Sequence, residues 1–267
     1  MPYAAALAAQ RRLADARKLG RVAEDHLLLL EHDPVVTVGR GAGKTGVDSP
    51  TRLEMRGVPV VEIERGGDVT YHGPGQLVGY PVLDLRRHRR DLHWYLRRLE
   101  DALIAVITEG GLHAFRVGGY TGVWVGERGD EPIRGDLEAE EAGPLVAAGS
   151  VRKVASIGVH VSRWVTWHGF ALNVTDEPLE GFRLIVPCGI PGVRMTSLAA
   201  EGLRFESATD PALLEAVARG FARAFEDEVA LVDLADVWPD FPEGEPRSDL
   251  CVGADATGDG ERASPAA

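Results

Sequence analysis

The chain of 267 residues contains only two cysteines, Cys188 and Cys251. Two are too few for a disulfide framework, and neither has a spacing partner that would suggest a zinc site. No apolar run approaches the roughly 20 residues that a membrane span requires. The first residues lack a basic stretch followed by an apolar core, so no secretory signal is expected either. A cytoplasmic location is the expectation. Basic charge is also scarce: 29 Lys and Arg stand against 41 Asp and Glu, a formal net charge of −12. Residues 126–150 and 239–267 each carry seven acids against two arginines, a net −5 apiece, which leaves −2 for the remainder. No basic surface for nucleic acid is expected from that balance. What remains is ordinary, with 45% hydrophobic and 26% charged residues, enough chain for one full core or two small ones.

Against that background one stretch stands out, Arg65-Gly66-Gly67-Asp68-Val69-Thr70-Tyr71-His72-Gly73-Pro74-Gly75-Gln76. Glycine lets a ligand approach the main chain closely, at an entropic cost that helices and strands avoid. Residues 58–64 before it and 77–83 after it read as strands. A polar, glycine-rich connection between two apolar strands fits a site on a rigid frame. On composition alone it fits an ordinary surface hairpin as well, because glycine clusters mark turns.

Along the chain, residues 3–18 are alanine-rich with Leu and Arg at helical steps and predict a helix, while 27–30 and 35–38 predict strands. Gly39-Arg40-Gly41-Ala42-Gly43-Lys44-Thr45 invites a phosphate-binding reading, which fails on spacing. The glycine required five residues before Gly43 is Val38, and Gly46, Asp48 and Pro50 break any helix that would follow. Leu92, Leu96, Leu99, Leu103 and Val106 or Ile107 recur at three- and four-residue steps, one face of a helix over about 91–109. Gly110 and Gly111 close it. Arg86, Arg87, Arg89, Arg90, Arg97 and Arg98 gather near its start, either a solvated face or a docking patch for an acidic partner.

Residues 120–125 predict a strand, and 126–150 are acidic, punctuated by Gly and Pro and without sustained periodicity. That pattern predicts a flexible insertion in preference to a functional lid. Within 153–161, Ser156, Gly158 and His160 alternate with Ile157, Val159 and Val161; within 164–174, Gly169, Ala171 and Asn173 alternate with Phe170, Leu172 and Val174. Set side by side, the two small-residue faces would form a shallow groove, or a seat for a packed helix. Asp210-Pro211 predicts an N-cap and first turn of a helix that carries Leu213, Leu214, Val217, Phe221 and Phe225. Beyond Trp238 the chain is rich in Pro, Gly, Asp and Glu, which predicts disorder over 239–267, with Cys251 an exposed bystander. Taken alone, Cys188 reads as a small buried hydrophobe and Lys153 as a surface lysine opening a strand.

Four blocks, taken together and in order, change those readings. They are Arg65-Gly66-Gly67 with Thr70-Tyr71-His72, Gly75 and Gln76; Lys153-Val154-Ala155-Ser156-Ile157-Gly158; His168-Gly169-Phe170-Ala171-Leu172-Asn173; and Pro187-Cys188-Gly189. With them the chain resembles the lipoyl(octanoyl) transferases, which move an octanoyl group from acyl carrier protein to a lysine of lipoate-dependent proteins. The resemblance implies an α+β fold, a mixed sheet flanked by helices like that of biotin and lipoate protein ligases and class II synthetase cores. It implies one catalytic domain over 1–238, with 126–150 as an acidic insertion and 239–267 as an acidic tail. It implies Cys188 as the acyl-thioester nucleophile and Lys153 as the residue that lowers its pKa and handles protons. The substrate site it implies comprises Arg65, Gly66, Gly67, Asp68, Val69, Thr70, Tyr71 and His72, with Ser156, Ile157, Gly158, Gly169, Phe170 and Ala171. The implied partners are octanoyl-acyl carrier protein as donor and lipoyl domains of lipoate-dependent enzymes as acceptors. A thioester is already an activated acyl donor, so no ATP, metal or other cofactor is implied.

The magnitudes suffice. A free cysteine near pKa 8.5 is only a few per cent thiolate at neutral pH, and bringing it to about 7 takes roughly 2 kcal/mol. An ammonium about 4 Å away supplies about 4 kcal/mol at an effective dielectric near 20, before desolvation. Two rival readings stay open. An ATP-dependent lipoate or biotin protein ligase shares the fold and the glycine-rich block but needs no nucleophilic cysteine. A non-catalytic module that binds a carrier protein would need neither Lys153 nor Cys188.

Overall fold

The computed structural model describes residues 1–41, 53, 55–186, 192–232 and 250–255. Helix α1 (Tyr3–Lys18) leads into strands β1 (Asp25–Leu30) and β2 (Val35–Val38). Strands β3 (Val60–Glu62), β4 (Val69–His72) and β5 (Gln76–Val82) follow, then helix α2 (Leu92–Glu109). The chain continues through β6 (Ala114–Val117), β7 (Tyr120–Arg128), the short β8 (Glu131–Pro132) and helix α3 (Ala139–Ala148). Next come the long β9 (Val151–Ser162) and β10 (Val165–Asn173), helix α4 (Glu177–Phe182), β11 (Arg194–Met195), helix α5 (Pro211–Phe225), β12 (Glu228–Val232) and β13 (Leu250–Asp255).

Among the described residues the main sheet runs β12-β13-β1-β5-β10-β9-β7-β6, with β11 joined to β9 and β8 to β7; β3-β2-β4 form a second, smaller sheet. The pairings are antiparallel except β9 with β11 and β2 with β3, so both sheets are mixed. This is the α+β arrangement expected from the resemblance.

The run of four leucines in β1 shows why the sheet is covered on both sides. Leu27 and Leu29 join one core with Leu77, Phe170 and Leu172, against Leu99, Leu103 and Ile107 of α2 and Leu213, Val217 and Phe221 of α5. Leu28 and Leu30 face the other way, with Val78, Val82 and Ala171, against Ala6, Leu13 and Ala14 of α1. Strand alternation therefore buries every residue of β1. The predicted caps are in place. Asp91 accepts a hydrogen bond from the Trp94 amide at 3.1 Å, and Asp210 one from the Ala212 amide at 2.9 Å. The arginines near the start of α2 are largely engaged within the chain: Arg86 with Asp84, Arg89 with Asp91 and Arg98 with Asp101.

Two segments depart from expectation. Residues 126–150 are not a loose insertion. Ile133, Leu137, Ala142 and Val146 bury a small core with Phe115, Trp124 and Val151, and α3 ends on Gly149 in the left-handed region. The apolar residues there are spread over a hairpin and a helix, so no single period reveals them. Leu250–Asp255, inside the stretch expected to be disordered, pairs antiparallel with β1 on one side and β12 on the other. Six residues are enough to occupy an open strand edge, even in a tail too polar to build a core of its own. The rest of that tail, residues 42–45 of the phosphate-loop-like run and the Pro187-Cys188-Gly189 block lie outside the described residues.

If 126–150 packs as described, Val146→Asp buries a carboxylate without a partner and is expected to cost about 3 kcal/mol. Limited proteolysis would then cut within 129–137 where the wild-type chain resists. Equal resistance in the two proteins would show that the segment does not pack.

Candidate active site

A cavity of about 290 Å³ opens where the small sheet meets the large one. The approach to β4 supplies Arg65, Gly66, Gly67, Asp68, Val69 and Thr70, with His72 at the end of the strand. Strand β9 supplies Lys153 and Ser156, Ile157, Gly158 and Val159; β10 supplies His168, Gly169, Phe170 and Ala171. Leu92 and Leu96 of α2, the turn Gly119-Tyr120-Thr121, and Tyr3 and Tyr80 complete the wall. The three sequence blocks that the structure describes thus meet at one place.

One expected residue is elsewhere. Alternation along β4 sends Thr70 and His72 toward the cavity and Tyr71 into a separate core, which Val69 joins while still bordering the cavity. There Tyr71 meets Phe182 edge-on. Tyr71 belongs to the scaffold, not to the cavity wall.

The small-residue faces do lie side by side. Gly158 pairs with Gly169 and Ser156 with Ala171 across the β9–β10 ladder, and directly opposed residues share a face. Both readings of that face hold in part: Ala171 packs with the α1 core and also lines the cavity. The reason for Gly158 is the close approach of the Arg-Gly-Gly segment. A Cβ on Gly158 would sit 2.9 Å from both Arg65 Cδ and the Gly66 carbonyl oxygen. The Gly66 amide donates to the Val159 carbonyl at 2.9 Å. Arg65 reaches past this contact to Thr37, donating to its carbonyl and its hydroxyl, both at 2.9 Å. Arg65 therefore fastens the loop to β2 while its stem lines the cavity.

The wall around His72 is polar but uncharged. Asn173 Nδ2 donates to the Thr196 carbonyl at 2.8 Å, and Gln76 Nε2 donates to Asn173 Oδ1 at 2.9 Å. Gln76 thus turns its oxygen to His72 Nδ1, 2.8 Å away, which fixes the proton on Nδ1. By the same logic His32 Nδ1 donates to the Met1 carbonyl, and the Tyr80 hydroxyl donates to His32 Nε2 at 2.6 Å. Burial disfavours the imidazolium of all three histidines here, bringing His32 to about 4 and His72 and His168 to about 3. His168 is also left-handed, at φ 57°, a backbone state uncommon for a residue with a side chain.

Lys153 adds an amine to a wall whose other charged side chains are Arg65 and Asp68. It is 2% exposed, its Nζ donates to the Thr121 carbonyl at 2.8 Å, and it lies 5.2 Å over the ring of Trp124. Strand β11 runs beside it, with Met195 opposite Lys153 and the Thr196 amide donating to the Lys153 carbonyl at 2.9 Å. Several wall residues were not expected from sequence. His168 carried a signal, standing next to Gly169 in its block, whereas Leu92 and Leu96 read only as helix core, and Tyr3, Tyr80 and the 119–121 turn carried none.

Residues 2–222 match the model of the lipoyl protein ligase A/B catalytic domain. The chain belongs to that family. It is similar to an octanoyltransferase of Solibacter usitatus, 46% identical over 228 residues that span 85% of this chain and 90% of the relative. An octanoyltransferase of Geobacter metallireducens is 50% identical over 200 residues, 75% of this chain and 79% of that one. Among solved structures, the bi-partite lipoate protein ligase of Thermoplasma acidophilum superposes with a TM-score of 0.57, covering 82% of this chain and 79% of its own. At 17% identity that last likeness shows a common fold.

The buried neutral histidines make this chain acid-sensitive. Their pKa values are depressed in the folded state, so the unfolded chain binds more protons below about 6.5, and stability falls as pH drops from there. Burial opposes charge on Glu64, but hydrogen bonds from Arg11 and Trp167 hold its carboxyl at about 2, so its titration lies below that window. Between pH 6.5 and 5 each of the three histidines is expected to remove about 1.5 kcal/mol. Urea unfolding at the two pH values measures the sum, to which His26 and His160, also depressed by burial, add, and His72→Gln should flatten the slope by one share. A flat profile in the wild-type chain would show that the histidines are not held neutral.

Proposed function

We propose that this chain is an octanoyltransferase that carries the acyl group on Cys188. The observation that carries the reading is its identity to octanoyltransferases, 46% and 50% over three quarters or more of the chain. Membership of a family named for ligases does not by itself choose between transfer and ATP-dependent ligation. Cys188 favours transfer, since adenylate chemistry has no use for a nucleophilic thiol.

In the first half-reaction the Cys188 thiolate attacks the thioester carbonyl of octanoyl-acyl carrier protein, and the carrier's thiolate leaves. In the second, the ε-amine of a lysine on a lipoyl domain attacks the acyl-enzyme, an amide forms, and the Cys188 thiolate is released. Lys153, protonated beside the Cys188 thiolate, gives its proton to the departing carrier thiolate in the first half-reaction and, then neutral, takes the amine's proton in the second. Support for Lys153 is its burial at the cavity, where its charge is felt at an effective dielectric far below that of water. Support for a site near it is the chain path: seven residues after Cys188, Met195 pairs with Lys153. The groove of Ser156, Gly158, Gly169 and Ala171, open toward Leu92 and Leu96, suits an extended apolar chain. Residues 1–238 are the proposed catalytic unit. Among the described residues no helix is long and apolar enough to cross a membrane, and the cytoplasm, where acyl carrier protein and lipoyl domains meet, is the proposed location.

Incubation with octanoyl-acyl carrier protein and an apo lipoyl domain, ATP omitted, is expected to yield octanoylated domain. Product only with ATP and free octanoate would establish a ligase instead. Cys188→Ser is expected to form no octanoyl adduct by intact mass; transfer at the wild-type rate would remove Cys188 from the mechanism. In a Cys251→Ser background, Lys153→Ala is expected to move the pH dependence of Cys188 alkylation upward by about one unit or more, and an unmoved profile would exclude the lysine from tuning the thiol.

A further inference from the structure

The turn between β6 and β7 does more than close the rim of the cavity. Strand β7 meets β9 at an irregularity: Val123 pairs with Ala155, but the next residue, Trp124, pairs with Lys153. One residue of β9 is therefore extra, a bulge that re-aims the neighbouring side chains. Lys153 lies over Trp124 and donates to the Thr121 carbonyl, contacts that suit an ammonium. Between these two partners stands Gly122, at φ 130°. A Cβ there would lie 2.5 Å from Lys153 Cε and 2.5 Å from the Ala155 carbonyl oxygen, so a side chain at 122 and the lysine stem cannot both keep their places.

The turn is itself held from α2. Glu100 is fully buried, and its Oε1 accepts the Gly122 amide at 3.0 Å. Its Oε2 takes Arg97 at 2.5 Å and Arg116 at 3.2 Å. A buried carboxylate with two guanidinium partners and a backbone donor is a costly arrangement to break. Arg116 also pairs with Asp101 and Asp136, and the link from Glu100 to Lys153 that the structure shows runs through the Gly122 amide and the Thr121 carbonyl. Neither Glu100 nor Gly122 lines the cavity.

We propose that Glu100 and Gly122 are positioning residues for Lys153. The carboxylate fixes the turn, and the Thr121 carbonyl and Trp124 ring carried by that turn and strand fix where the amine stands. This inference rests on the reading that Lys153 acts on Cys188, and the test separates the two.

The readout is the pH profile of Cys188 alkylation in the full chain with Cys251→Ser, alongside kcat/KM for octanoyl transfer. Gly122→Ala and Glu100→Ala are expected to move the alkylation profile upward, toward that of Lys153→Ala, and to lower kcat/KM on the order of 10²-fold. Gly129→Ala is the control: it also replaces a left-handed glycine near β7, at φ 64°, but with open space around it, and it should leave the profile in place. In the double variant Gly122→Ala/Lys153→Ala, the glycine change should add little to the lysine change. Full additivity, or an unmoved profile in both Gly122→Ala and Glu100→Ala while Lys153→Ala shifts, overturns the positioning role alone. An unmoved profile in Lys153→Ala overturns the reading beneath it as well.

Discussion

A single backbone hydrogen bond, from the Gly66 amide to the Val159 carbonyl at 2.9 Å, joins the two sheets at the point where the cavity begins. It forms only because Gly158 has no side chain: Arg65 and Gly66 occupy the space that a Cβ would need. With that approach made, the Arg-Gly-Gly segment becomes one wall of the cavity and β9 and β10 become another. Arg65, anchored on Thr37, makes the wall rigid by tying it to the small sheet. A larger residue at 158 would force Arg65 Cδ and the Gly66 carbonyl to give way.

The electrostatic character of the cavity follows from the same packing. Burial keeps His32, His72 and His168 uncharged, and amide and hydroxyl partners fix the tautomers of His32 and His72. Held neutral, His72 and His168 leave the Lys153 amine and Arg65 as the cations of the wall. An anion formed close to that amine gains more than it would in water, because little solvent and few counter-charges screen the pair. The neutral His72 and His168 and the amine of Lys153 thus line one cavity.

Much of the site was legible in residue order. The glycine-rich block, the Lys153 block and the His168 block all reach one cavity, and the alternation in β9 and β10 correctly paired their small faces. Tyr71 shows the limit of reading a motif as a contiguous string: a strand sends alternate residues to opposite sides, so a block of eight cannot all face a ligand. Residues 126–150 show another limit. Their apolar residues bury themselves against Phe115 and Trp124, partners supplied by other strands and invisible to any local window.

By itself the sequence determined the chemical identity of the residues that meet there: which bear an amine, an imidazole or a guanidinium, where glycines stand, and which faces are small. These follow from local covalent and steric properties that hold wherever the chain goes. Only the tertiary structure decided that Leu92 and Leu96 turn from helix core to cavity rim, and that Tyr3 and Tyr80 stand in the wall. It also decided that Glu100, fifty-three residues before Lys153 in the chain, is linked to it through the Gly122 amide and the Thr121 carbonyl. Contacts of that kind depend on how α2 and β7 lie against β9, and that placement is set by the packing of the whole core.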